Sequence, residues 1–242
     1  MKNKYYYQLV TCEPIIYNSL CFYPISFDTI MQIYGEEYFN FLMLPFRINS
    51  EYLKESTGIE ISNDDIFENV ILKTKEFLEN TCNILALFCK CGKITLSNNT
   101  LHLYDANDQN IMFDVTRENF DDISDILLTI NCKSKIEIEK IPLNMSARQK
   151  DVWEKLQAGR KRDAEKNRLH VYDIVKICEL GGKFHIPLSE IKQWTMWKLM
   201  DTYKAIIAIR EYDDSFEIGI AQYDLSAIQN DKHWIKRLMI RE

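Results

Sequence analysis

The chain has 242 residues, of which 46 % are hydrophobic and 27 % are charged, a balance typical of a folded protein rather than a disordered one. Its length suffices for one large domain or two modest ones, each able to bury a core without disulfides or metal ions. No apolar run approaches the roughly eighteen residues that a membrane-spanning helix requires, and the N-terminus lacks the continuous apolar region of a signal peptide. We therefore expect a soluble protein that is not exported.

Charge is distributed unevenly along the chain. Residues 1–142 carry 12 Lys and Arg against 21 Asp and Glu, a net charge of −9, whereas residues 143–242 carry 18 against 15, a net charge of +3. Since nucleic-acid binding needs a positive surface, the N-terminal part is not expected to bind DNA or RNA. The seven cysteines form an odd set dispersed among apolar neighbours, which indicates free thiols in a reducing cytosol.

The first sixty residues predict extended structure followed by a helix. The opening YYYQLVTCEPIIYNSLCFYPI is aromatic and β-branched, which favours a short hairpin or edge strands. Ser26 can cap a helix whose apolar residues keep to one stripe until Pro45, and Gly35 is expected to weaken or kink it.

A second helix, a β-meander, a third helix and a strand are predicted next. Ser62 with Asp65 resembles a capping pair at the start of the second helix, and Thr116 is expected to cap the third. Between them, KITLS, TLHLY and IMFDV alternate as strands around Asn98-Asn99 and DANDQN, which predicts a meander. KIEIEKI, at 135–141, also alternates like a strand.

The remaining residues predict helices only. Ser146 with Gln149 makes a capping box for a charged helix that has almost no apolar face. Four further helices are expected. The first lies in VYDIVKICEL and is expected to end at a left-handed glycine, Gly181 or Gly182. The second lies in the tryptophan-rich segment at 194–209 and is expected to begin at Thr195 or Ser189. The other two lie in YDDSFEIGIAQY and DKHWIKRLMI.

The predicted fold class is therefore α+β. An N-terminal domain of mixed helices and an antiparallel β-meander covers residues 1–142, a charged helical connector covers 143–169, and a small all-helical domain covers 170–242.

The segment WTMWKLMDTYKAIIAI, at 194–209, has two interpretations. Its apolar residues share one wide helical face, which is typical of a buried core. The alternative is that Trp197 or Met196 protrudes as an anchor for a partner helix. The residues of the stripe are Trp194, Met196, Trp197, Leu199, Met200, Tyr203, Ile206 and Ile207.

No motif in the chain predicts catalysis, a metal site or a cofactor. Cys89 and Cys91 have only His102 near them in the sequence, whereas a structural zinc site needs four ligands. Cys178 and His185 could act as nucleophile and base, but no local signature accompanies them. The seven scattered glycines form no phosphate loop. We therefore predict a protein that is not an enzyme.

A nucleic-acid-binding regulator is the main alternative. Residues 147–168 are basic, and residues 169–197 have the spacing of a helix-turn-helix motif, so region 146–209 would form the interface. However, SEIKQWTMWK, which would be the recognition helix, offers tryptophans where arginine or asparagine would read bases. A third alternative is an enzyme whose site is assembled from residues without a sequence signature.

Several stretches resemble proteins of the tail-morphogenesis region of bacteriophages that infect low-GC Gram-positive bacteria, and most closely their tail assembly chaperones. These stretches are YGEEYFNFLMLPF (34–46), FDVTRENFDDISDILLTIN (113–131), VWEKLQAGRKR (152–162), IPLSEIKQWTMWKLMDTYKAI (186–206) and DKHWIKRL (231–238). The shortest chaperones of this kind lack the predicted β-meander.

The resemblance implies a protein of the host cytoplasm that keeps the tape-measure protein soluble and recruits tail-tube subunits. In this hypothesis the C-terminal helices offer an apolar groove to amphipathic client segments, and the acidic N-terminal part keeps the complex soluble. Repeated client segments would favour several copies per client, which leaves a homo-oligomer open. The candidate partner-binding residues are Trp153, Trp194, Trp197 and Trp234.

Overall fold

The structure, a computed structural model, describes residues 4–58, 60–106, 110–138, 145–183 and 185–221. Within these residues the fold is α+β, as predicted. The helices are α1 (Tyr6–Thr11), α2 (Phe27–Ile33), α3 (Gly35–Leu42), α4 (Leu44–Arg47), α5 (Ser50–Thr57), α6 (Lys75–Cys89), α7 (Phe120–Ile130), α8 (Ala147–Lys166), α9 (Val171–Leu180), α10 (Leu188–Ile191) and α11 (Met196–Ala221). The strands are β1 (Ile15–Tyr17), β2 (Leu20–Phe22), β3 (Lys93–Ser97), β4 (Thr100–Tyr104) and β5 (Ile111–Val115).

The strands form two small antiparallel sheets. β1 and β2 make a hairpin, and β3, β4 and β5 make the predicted meander in that order. Asn98 and Asn99 have φ angles of 49° and 58°, the left-handed conformation that a two-residue hairpin turn requires and that asparagine tolerates. Leu101, Leu103 and Val115 are fully buried, so one face of the meander packs on the core and the opposite face is open to solvent.

The prediction of extended structure at the start of the chain is only partly correct. Residues 15–22 form the expected hairpin, but residues 6–11 form helix α1 instead of an extended segment. Leu9 of this helix is buried, and the Tyr6 ring meets the edge of Trp197 with 5.7 Å between ring centroids. Packing against α11 thus overrides the local preference of an aromatic and β-branched segment for extended structure.

The capping prediction for Ser26 and the kink predicted at Gly35 are confirmed. The Ser26 hydroxyl accepts a hydrogen bond from the Thr29 N–H at 3.2 Å and starts α2. Gly35 has a φ of +70° and separates α2 from α3, the kink expected there. The Ser62 hydroxyl donates to Asp65 at 2.7 Å, but a 3₁₀ turn and a π-helical turn precede α6, so the second helix begins later than predicted.

Two other predictions for this part are corrected. Asn119 rather than Thr116 directly precedes α7, and its Oδ1 accepts the Thr116 N–H at 2.9 Å. Residues 133–138 form no strand. Ile136 instead donates its N–H to the Arg47 carbonyl at 2.8 Å and accepts from the Asn49 side chain at 2.7 Å. These bonds anchor the segment beside α4 and α5 without a neighbouring strand.

The charged helix predicted after Ser146 and the helix that follows it are confirmed. Ser146 and Gln149 form a reciprocal capping box at the start of α8. However, Gly181, at the end of α9, has a φ of −89°, so it does not supply the expected left-handed residue. A Cβ atom at Gly181 would overlap the Ile177 carbonyl oxygen, so close packing is the reason for a glycine at that position.

The predicted break after the tryptophan-rich segment is wrong. α11 runs without interruption for 26 residues and includes residues 212–221, whereas the helix predicted in residues 231–240 lies outside the described residues. Just before α11 begins, the chain bonds to the N-terminal part: Phe27 donates its N–H to the Trp194 carbonyl at 2.8 Å. One buried cluster contains residues from α2, α3, α6 and α7 together with residues from α9 and α11.

Among the described helices, none combines the length and the apolar composition that crossing a membrane would require.

Candidate functional sites

The tryptophan-rich segment belongs to the core. Trp194 and Trp197 expose only 6 % and 7 % of their surface, and Leu199 is completely buried. Thr195 caps α11, because its hydroxyl accepts the Lys198 N–H at 3.2 Å. The core interpretation of this stripe is thus confirmed, and Trp197 does not protrude as an anchor.

The structure describes three of the four candidate tryptophans, and these three lie in two environments. Trp194 and Trp197 are core residues that a partner could reach only after local unfolding. Trp153 is half-buried on α8, between Val152 and Leu156, which are 49 % and 57 % exposed. Trp234 lies outside the described residues. α8 therefore presents a narrow apolar stripe on an otherwise charged helix.

A second apolar surface lies on α9. Tyr172 and Leu180 are 63 % and 70 % exposed, and the exposed Lys176 lies between them at helical spacing. We call these three residues the α9 face. The opposite side of the helix anchors it in the core through Val171, Ile174, Val175 and Cys178, all buried. The α9 face is therefore held on a fixed helix, and none of the sequence predictions singles it out.

The proposed recognition helix is not continuous. α10 ends at Ile191 and α11 begins at Met196, so residues 189–198 contain a turn where the helix-turn-helix interpretation requires one helix. Trp194 and Trp197, at this turn and in the first turn of α11, point into the core. Neither tryptophan could lie in a DNA groove.

An ion-paired cluster joins α3 to the start of α9. Glu36 accepts hydrogen bonds from Arg168 at 2.9 Å and from the Val171 N–H at 3.2 Å, and His170 Nδ1 lies 3.4 Å from the same carboxylate. Burial by itself raises the pKa of Glu36, but these bonds and the Arg168 charge outweigh it and lower the pKa below its usual value. The cluster fixes where α9 begins.

A cleft of about 540 Å³ lies between the N-terminal segment and α7. The Tyr17 hydroxyl donates to Asp122 at 2.7 Å, and this bond, with burial, raises the pKa of Tyr17 to about 12. Partial burial also raises the pKa of Asp125 and lowers the pKa of Lys133, whose amino group donates to Asn40. Shifted titratable groups in a cleft can mark a functional site, but Tyr17 and Lys133 are engaged in hydrogen bonds within the fold.

Three side chains form a hydrogen-bonded relay on the open face of the meander. His102 Nε2 lies 2.8 Å from Ser97 Oγ, and His102 Nδ1 lies 2.6 Å from Asp114 Oδ1. From the sequence, His102 is a candidate only for a metal ligand. The signal available in the sequence was strand register: across the Asn98-Asn99 turn, Ser97 and His102 fall on the same face of the sheet.

The thiols and imidazoles do not form the other arrangements considered. Cys178 Sγ donates to the Leu199 carbonyl at 3.7 Å, and burial raises its pKa to about 11. His185 Nδ1 lies 3.2 Å from the Glu179 carbonyl oxygen, so its bond is to backbone. In the part of the chain that the structure describes, no three His, Cys, Asp or Glu side chains are grouped so that they could hold a metal ion.

No protein-family model, no curated protein and no solved structure matches this chain.

Proposed function

We propose that the protein is a tail assembly chaperone of a tailed bacteriophage, which binds segments of the tape-measure protein in the host cytoplasm and brings tail-tube subunits to it. The proposal starts from the resemblance of the sequence to such chaperones. The structural observation that supports it is the α9 face, with Tyr172 63 % and Leu180 70 % exposed on a helix anchored in the core.

Side chains of this kind suit the recognition of a helix. An amphipathic client helix presents apolar residues at intervals of three and four, and the two large side chains of the α9 face are separated by two helical turns. Lys176, between them, favours a client whose apolar stripe is flanked by aspartate or glutamate. Because α9 is held by four buried residues, the surface is ordered before the client arrives, which reduces the entropy lost on binding.

Binding to the tape-measure protein itself tests the proposal. The tape measure is recognisable as the long heptad-repeat protein encoded in the same tail-morphogenesis region, and overlapping peptides from it can be titrated against the purified chain. We expect one or more amphipathic peptides to bind. The double variant Tyr172→Ser/Leu180→Ser should weaken binding by at least about 100-fold, since each buried large apolar side chain contributes about 1.5–3 kcal/mol.

The matched control places the same change elsewhere on the surface. Ile16 and Ile111 are 67 % and 53 % exposed on β1 and β5, so Ile16→Ser/Ile111→Ser removes similar apolar area without touching α9. It should bind like the wild type. If no tape-measure peptide binds, the proposed function is wrong. If peptides bind and both double variants behave alike, the α9 face is not the client site.

A further inference from the structure

We propose that Ser97 is an activated nucleophile that transfers acyl groups from carboxylic esters, with His102 as its general base and Asp114 as the residue that positions His102. The geometry is that of a serine–histidine–aspartate relay. The Ser97 Oγ to His102 Nε2 distance is 2.8 Å, and the His102 Nδ1 to Asp114 Oδ1 distance is 2.6 Å. This activity is independent of client binding, because the three residues lie on β3, β4 and β5.

Strand register builds the relay. His102 pairs directly with Asp114 across β4 and β5, and it pairs with Thr95 across β3 and β4. Ser97 is two residues beyond Thr95 on β3, so its side chain is on the same face, diagonal to His102. The opposite face carries Leu101 and Leu103, both fully buried. The sheet therefore cannot slip by one residue without burying the relay and exposing its own apolar face.

When His102 is neutral, its hydrogen-bond partners determine which of its ring nitrogens carries the proton. An ionised Asp114 carboxylate can only accept hydrogen bonds, so His102 Nδ1 must carry the ring proton. His102 Nε2 is then the acceptor, and Ser97 Oγ–H donates to it. This is the arrangement in which a serine hydroxyl is ready to lose its proton as it attacks. His102 is only 19 % exposed and is held on both sides, whereas Asp114 is 51 % exposed.

The reaction needs only the ester and water as reactants. Ser97 Oγ attacks the ester carbonyl carbon while its proton moves to His102 Nε2. The bond from that carbon to the leaving oxygen then breaks, and His102 returns the proton to that oxygen, which releases the alcohol or phenol. Water next attacks the acyl-serine with His102 again as base, which releases the carboxylic acid and restores the Ser97 hydroxyl.

The surroundings favour small, reactive acyl donors. Ser97 is exposed at the end of β3, so an ester reaches it directly from solvent. Asn98 and Asn99 follow Ser97 in the left-handed turn. In the proposed reaction their backbone N–H groups, which are next to Ser97 in sequence, stabilise the oxyanion that forms on the carbonyl oxygen. The proposed substrate class is a carboxylic ester with a good leaving group, such as a phenyl ester.

The experiment uses a serine-directed fluorophosphonate probe and p-nitrophenyl acetate on the full-length protein. We expect mass spectrometry to locate the phosphonyl group and the transient acetyl group on Ser97, and Ser97→Ala to remove both. His102→Gln should slow Ser97 labelling about 100-fold or more, which is the lower end of what a positioned general base contributes. Thr95→Ala, which removes a hydroxyl from the same sheet face, is the matched control and should react like the wild type.

Asp114→Asn tests positioning separately. This variant should slow Ser97 labelling and should also remove the low-field proton NMR resonance of His102 Nδ1–H, which Ser97→Ala retains. Circular dichroism reports whether each variant is folded, and Ser97→Thr keeps a hydroxyl if Ser97→Ala unfolds the hairpin. The proposal is overturned if Ser97 is not modified in the folded wild type. It is overturned equally if His102→Gln is labelled at the wild-type rate, since the relay would then be only a surface hydrogen-bond network.

Discussion

Replacing Trp197 by alanine tests whether the tryptophan-rich segment is a core or a binding surface. Trp197 is 7 % exposed, and its ring meets Tyr6 edge-on with 5.7 Å between ring centroids. A tryptophan buries about 150–250 Å², which at about 25 cal/mol per Å² corresponds to about 4–6 kcal/mol. Alanine retains a small part of this area, so we expect Trp197→Ala to lower the free energy of unfolding by about 4 kcal/mol, within the usual range for such truncations.

Urea denaturation followed by far-ultraviolet circular dichroism measures this loss. For a chain of this size the free energy of unfolding falls by about 3 kcal/mol for each molar increase in urea. The midpoint for Trp197→Ala should therefore lie more than about 1 M below that of the wild type. Tyr172→Ala is the control, because Tyr172 is 63 % exposed and surface changes usually stay within about 0.5 kcal/mol.

Two results would refute the core assignment. The first is a Trp197→Ala protein that unfolds at the wild-type urea concentration. The second is a stable Trp197→Ala protein that loses the proposed tape-measure binding while Tyr172→Ala keeps it, because Trp197 would then be an accessible anchor and the α9 face would be unused.

Three further predictions concern the backbone and ionisable groups. Gly35→Ala should lower the free energy of unfolding by about 1–2 kcal/mol, because Gly35 has a φ of +70°. Gly159→Ala in α8 has nothing within 4 Å of the added Cβ and should raise the free energy of unfolding by about 1 kcal/mol, and thermal unfolding of the two variants measures these opposite changes. Glu36→Gln should cost about 1 kcal/mol at pH 7 after allowance for solvent screening; because the pKa of Glu36 is lowered, its stabilisation is present above the unfolded-state pKa and is lost as pH falls through the folded-state pKa, which urea titrations at a series of acidic pH values measure. Lys133→Met should be more stable than the wild type at pH 7, because burial lowers the pKa of Lys133 and its charged form therefore opposes folding. If the variant is still more stable than the wild type above pH 11, where the lysine is neutral in both the folded and the unfolded state, the charge is not the cause.

The sequence by itself determined the features that depend on neighbours a few residues apart. Ser26 caps α2 and Ser146 caps α8 through bonds to residues three positions later. Asn98 and Asn99 form the turn that their tolerance of positive φ predicts. The alternation of apolar and polar residues predicted the three strands of the meander. The apolar stripe at 194–207 likewise identified a helical face wide enough to be core. In each of these, the interacting groups are brought together by local backbone geometry alone.

Only the tertiary structure decided the features that depend on distant partners. Residues 6–11 are helical because they pack on α11, and residues 133–138 form no strand because their backbone bonds go to Arg47 and Asn49. Likewise, the exposure of Tyr172 and Leu180 depends on which side of α9 faces the core. The relay of Ser97, His102 and Asp114 requires three strands in register. Periodicity locates a face along one element, but only the packing of elements fixes what that face meets.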